Sequence, residues 1–137
     1  MPQAHDLVVG NGAQPPVDKT FTLLTPASGY GSIAEWALKE GPISSVFPTF
    51  TASAVKSNRT KMEGPANKLR VKFRLPSSYT DTVTGLTNVG SAFEFNGSFT
   101  VPDDFPENLK ADAASFVTNL VATELVKAMM VDGLPAT

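Results

Sequence analysis

Cysteine is absent, and histidine occurs once, at His5. Without thiols there is no disulfide framework, no thiolate nucleophile and no Cys-based metal site. A zinc centre would need carboxylates gathered around one histidine near a terminus, an unusual donor set. His5 therefore reads as a surface residue, and neither a metal nor another cofactor is expected. Long hydrophobic runs are also missing. No stretch approaches the roughly 18 apolar residues of a membrane helix. The first residues, "MPQAHDLVVGNG", lack the basic start and apolar run of a signal peptide. The expectation is a cytoplasmic protein with no membrane partner, in which "NRT" at 58–60 and "NGS" at 96–98 are chance matches to the glycosylation pattern. Catalytic constellations are equally scarce. "GNG" at 10–12 lacks the third glycine and following helix of a dinucleotide site. No nucleophile, base and orienter can be brought into one site, so an enzyme is not expected.

What is present suits one globular domain, 1–137, with 42% apolar residues and enough length to bury a core. The net charge of −2 conceals an asymmetry. Between positions 56 and 74 stand seven cations (Lys56, Arg59, Lys61, Lys68, Arg70, Lys72 and Arg74) and one anion, Glu63, a local balance of +6 against −8 elsewhere. A chain near neutrality can thus still focus a positive field on one face.

Hydrophobic periodicity divides the chain. Alternation of period two predicts short strands over 6–9, 19–24, 31–38, 49–57, 67–76 and 92–101, with Gly10, Gly12, Pro15 and Pro16 turning the first pair into an N-terminal hairpin within 1–30. The Ser-, Thr- and Gly-rich stretch 77–91 reads as a long loop within a sheet spanning 31–101. After Pro102 the period changes. Leu109, Ala113, Phe116, Val117, Leu120 and Val121 recur at three and four residues, the stripe of an amphipathic helix. A second helix fits 124–132, with Thr123 as N-cap and Gly133 in the left-handed C-terminal position, so the helical part spans 106–133. Strands first and helices last is an α+β pattern. The helices can cover the sheet face carrying Phe50, Leu69, Val71, Phe73, Phe93, Phe95 and Phe99, which leaves the other face polar.

On that polar face "NKLRVKFRLP" at 67–76 places Lys68, Arg70, Lys72 and Arg74 about 7 Å apart, two residues of strand rise. A solvated outer face would explain cations alone. No carboxylate interrupts them, however, whereas a face serving only solubility mixes signs. Neighbouring strands add Thr51, Ser53, Asn96 and Ser98, small side chains able to contact phosphate, 2′-hydroxyl or base edges. These eight residues are the candidate RNA-binding set.

The same segments resemble a known family. "IAEW" at 33–36, "EGPISSV…TASAVKSN", "NKLRVKFRLP", "FNGSFTVP" and "NLVATELVKAMMVDGLP" follow the order and spacing of motifs in the coat proteins of single-stranded RNA bacteriophages, the leviviruses, across most of the chain. The resemblance implies an N-terminal β-hairpin, a five-stranded antiparallel sheet and two C-terminal helices. It implies an interlocked homodimer whose helices reach over the partner, and assembly in the bacterial cytoplasm into an icosahedral virion shell with the sheets facing genomic RNA. The 77–91 segment would gather around symmetry axes. The inner face would also bind a hairpin as a translational repressor; the alternative is a dimeric RNA-binding repressor that forms no shell. Thr51, Ser53, Lys68, Arg70, Lys72, Arg74 and Asn96 fall at positions matching the family's RNA face. Glu94 stands where some members stack a tyrosine on a base, and Arg74 where some carry an acid.

Overall fold

The computed structural model describes residues 2–58 and 64–137. Arg59, Lys61 and Glu63, counted in the basic cluster, lie outside them. The chain divides into two compact units, Met1–Pro102 and Asp103–Thr137.

The first unit is a meander of six antiparallel strands in sequence order: β1 (Leu7–Gly10), β2 (Asp18–Thr25), β3 (Ile33–Ala37), β4 (Thr49–Asn58), β5 (Pro65–Thr80) and β6 (Thr87–Pro102). The expected hairpin and five-stranded sheet share a strand: β2 pairs with β1 on one side and, through a bulge between Leu23 and Thr25, with β3 on the other. Asn11 closes the β1–β2 turn, its side-chain oxygen accepting from the backbone N–H groups of Ala13 and Val17.

Register turns the alternation of each strand into rows across the sheet. Trp36, Phe50, Phe73 and Phe95 form one row of the apolar face, and Ala54, Leu69 and Phe99 another. The core sits at the β1–β3 end of this face. Phe21, Ala34 and Trp36 are buried there against Leu7, Leu23, Phe50 and Phe73. Trp36 lies 5.5 Å from the Phe50 ring, and its indole N–H donates to the carbonyl of His5 at 2.8 Å. The Asp6 carboxylate accepts from the Leu23 N–H, so two successive residues tie the N-terminal segment to β3 and β2. A salt bridge of 3.1 Å joins Lys19 on β2 to Glu40 after β3. Toward β6 the same face is open, and Leu75, Phe93, Phe95 and Phe99 are exposed.

The predicted loop over 77–91 is mostly strand. Pro76 supplies no backbone donor, which argues for a strand end, but the ladder shifts register between Pro76 and Ser78 and continues to Thr80↔Thr87. Pro76 still stands opposite Ala92, and the bulge lies just beyond it, with Ser77 facing Gly90 and Ser91. Ser77, in the bulge, donates to the carbonyl of Ser91. A side chain at Gly90 would come within 2.7 Å of that hydroxyl, so a larger residue there would require Ser77 to turn away from Ser91. The true turn is short: the Asp81 side chain accepts from the N–H groups of Val83 and Thr84, and Gly85 takes a positive φ of 72°.

The second unit holds α1 (Glu107–Val121) and α2 (Glu124–Asp132), which meet at a 47° bend. Thr123 serves both helices: its hydroxyl donates to the carbonyl of Leu120 at 2.8 Å and accepts from the N–H of Val126 at 3.5 Å. Gly133, at φ 67°, ends α2 with its N–H on the carbonyl of Met129, the left-handed stop that glycine adopts without steric cost. Neither helix has a buried residue. The expected burial of the stripe is therefore not met within one chain: Phe116 is 66% exposed and Leu120 63%. No single helix among the described residues is long and apolar enough to cross a membrane.

Candidate nucleic-acid interface

All eight residues singled out from the sequence lie on one face of β4, β5 and β6, because each occupies the wet phase of its strand. Register sets Thr51 opposite Lys72 and Lys72 opposite Asn96; the next row holds Ser53, Arg70 and Ser98. Lys68 stands between Val55 and Thr100, and Arg74 between Thr49 and Glu94. With strands about 4.8 Å apart, Lys68, Arg70 and Lys72 are each flanked across the sheet by short polar or methyl-bearing side chains, whereas Arg74 has Thr49 on one side and Glu94 on the other. The cations rise above a floor of small groups, and Lys68, Arg70, Lys72, Asn96 and Ser98 ring a shallow depression of about 300 Å³ floored by Val71 and Gly97.

Gly97 matters on the other side of the sheet. It faces the apolar side, where a β-carbon would stand 2.9 Å from the Phe95 ring and 3.4 Å from a Val71 methyl. The Phe95 ring leans over the backbone of its own strand, which a side chain at 97 would prevent.

Electrostatically the face is uneven. Among the described residues Lys68, Arg70 and Lys72 have no carboxylate partner, whereas Arg74 is bound to Glu94, Nε to Oε1 at 3.3 Å. Sequence reasoning saw no acid within the basic strand. The acid comes from the neighbouring strand, 20 residues away, and only the register brings it there. Lys56, counted with the basic cluster, projects from the opposite face and lies 5.1 Å above the Tyr30 ring, a cation–π contact. Two residues of β3 join the polar face unannounced: Glu35 in the row of Thr51 and Lys72, and Ile33 beside Ser53. Ile33 is 58% exposed. Alternation within "SIAEW" puts them on that side, but the sequence did not reveal that β3 sits next to β4 in this register.

Such an arrangement can hold a chain of phosphates. Lysine and arginine heads approach anionic oxygens, while Thr51, Ser53, Asn96 and Ser98 offer hydroxyl and amide groups to sugars or base edges. No group of three or more metal-ligating side chains occurs among the described residues.

No protein-family model and no curated protein sequence matches the chain. Solved structures do match. A virus-like particle of bacteriophage NT-214 superposes with a TM-score of 0.81 at 20% identity, over 99% of this chain and 100% of that one. A virus-like particle of Beihai levi-like virus 21 gives 0.81 at 12% identity over 99% of each chain. The capsid protein of bacteriophage GA gives 0.66 at 17% identity, over 93% of this chain and 94% of that one. At such identities the likeness is one of fold, and the fold is that of the levi-like phage coat proteins.

Proposed function

We propose that this protein is the subunit of an icosahedral RNA-phage shell, assembling in the host cytoplasm and ending in the virion, with the cationic face of its sheet turned toward single-stranded genomic RNA. The observation that carries the reading is the gathering of Thr51, Ser53, Lys68, Arg70, Lys72, Asn96 and Ser98 on one face of a chain whose fold is shared end to end with subunits of virus-like particles. The two open apolar surfaces support the self-associating part. The stripe of α1 and the β5–β6 end of the sheet each leave large hydrophobic side chains in water, and contiguous exposed apolar surface marks an interface. A homodimer in which each chain's helices lie on the partner's sheet satisfies both at once. The same polar face is the one that would hold a hairpin in a translational-repressor role.

Expression of the chain alone in bacteria tests this directly. Closed particles in electron micrographs, eluting near the void volume and carrying nuclease-protected RNA, are expected. Dimers that bind RNA but never close, over a range of salt and protein concentration, would instead establish a free repressor. Small oligomers without RNA would refute both readings.

A further inference from the structure

Arg74 and Glu94 are directly opposite on β5 and β6, joined at 3.3 Å, with side chains 47% and 58% exposed. The pair borders the row of Lys72 and Asn96 on the polar face. We infer that Glu94 cancels Arg74 and so confines phosphate binding on this face to Lys68, Arg70 and Lys72. The inference rests on the RNA-facing reading of the sheet.

The reasoning is one of charge rather than of the strength of the bond. An exposed ion pair is weak and screened, so an incoming phosphate could take Arg74 from its partner. Doing so would leave the Glu94 carboxylate unpaired within a side chain's reach of the same phosphate, and the two side chains together would still offer it no net positive charge. Counterion release follows the phosphates that are neutralised, at about 0.7 ions per contact for a single strand, and a cation already neutralised by its neighbour adds none. Lys68, Arg70 and Lys72 have no such neighbour among the described residues, and they, not Arg74, line the depression with Asn96 and Ser98. Two consequences follow. The footprint on each chain is short, three cations at about 7 Å spacing, and the end of the face near Arg74 is available to an uncharged part of the ligand or to none.

The test is titration of the full-length protein with unstructured oligouridylate at several salt concentrations, with the oligomeric state matched by size-exclusion chromatography. The parent slope of log affinity against log salt is expected at about −2 per chain, three contacts at about 0.7 each. Glu94→Gln should steepen it by about 0.7 per chain, and the double change Arg74→Gln with Glu94→Gln should bring it back to the parent value. If Glu94→Gln leaves the slope unchanged and the double change makes it shallower by about 0.7, Arg74 is already a phosphate ligand and the inference is wrong. The binding face itself is judged separately: if Lys68→Gln with Lys72→Gln also leaves the slope untouched, the RNA-facing reading fails, whatever Glu94 does. All these side chains are on the wet face, so melting temperatures should stay near the parent value and confirm that folded proteins are being compared.

Discussion

Strand β5 shows two surfaces made from alternate residues of one segment. Leu69, Val71, Phe73 and Leu75 belong to the apolar face, and Lys68, Arg70, Lys72 and Arg74 to the polar one. Neither set is fully buried, yet they differ in what completes them. The apolar row already has a partner at one end, where Phe73 meets the Phe21 ring edge-on at 6.3 Å, and lacks one at the other, where Leu75 and Phe93 are about half exposed. Among the described residues, Arg74 alone of the polar row has an ionic partner, Glu94. The apolar deficit is met by area, without direction, from any well-fitting hydrophobic surface. The polar deficit calls for opposite charge at a fixed spacing. A second copy of the chain suits the first requirement, and a polyanion the second. The C-terminal unit, with six carboxylates against two lysines, is poorly suited to bind the polyanion.

This contrast can be broken most severely at the closed end of the apolar face. Trp36 is 7% exposed, packs on Phe50 and holds the N-terminal segment through His5. Trp36→Ala should destabilise the sheet by about 3–5 kcal/mol, visible as a large drop in the denaturation midpoint. A midpoint near the parent value would show that the β1–β3 core does not carry the fold.

A smaller and different effect is expected at Phe116. It is exposed in the single chain, so Phe116→Ala should barely alter the helical signal. If the stripe docks on another copy, each docked site loses up to about 3 kcal/mol of apolar burial, and particle yield in electron micrographs should fall well below that of the parent. Undiminished yield would mean that the stripe is not an assembly surface.

The mildest change is on the polar face. Lys68→Gln combined with Lys72→Gln should leave folding and assembly contacts intact and reduce the salt slope for single-stranded RNA by about 1.4 per chain, two contacts at about 0.7 each. Loss of stability in that double variant would show that the two faces are not energetically separable.

Much of this was readable beforehand because short-range chemistry decides it. The alternation in 67–76 and 92–101 specifies which side chains share a face once an extended backbone is assumed, since side-chain direction in a strand repeats every two residues. Thr123 and Gly133 mark their helix ends through local hydrogen bonding and backbone conformation, which no distant contact is needed to explain. That the eight candidate residues share one face was legible for the same reason: each lies in the polar phase of its own strand.

Other features depend on partners far along the chain. The extension of β5 past Pro76 was missed because a proline and a run of Ser, Thr and Gly favour a loop locally, while pairing with 87–89 beyond a bulge outweighs that preference. The arrival of Ile33 and Glu35 on the polar face and the pairing of Arg74 with Glu94 follow from register between strands, and the contact of Lys56 with Tyr30 from where the β2–β3 loop lies against β4. The sequence by itself determined that this chain makes a sheet with one greasy and one cationic side, followed by two capped helices, because propensity, periodicity and capping act over a few residues. Only the tertiary structure decided which charges on that sheet are free, because a one-residue slip in pairing would move every side chain of a strand to the other face, and no local signal records the register.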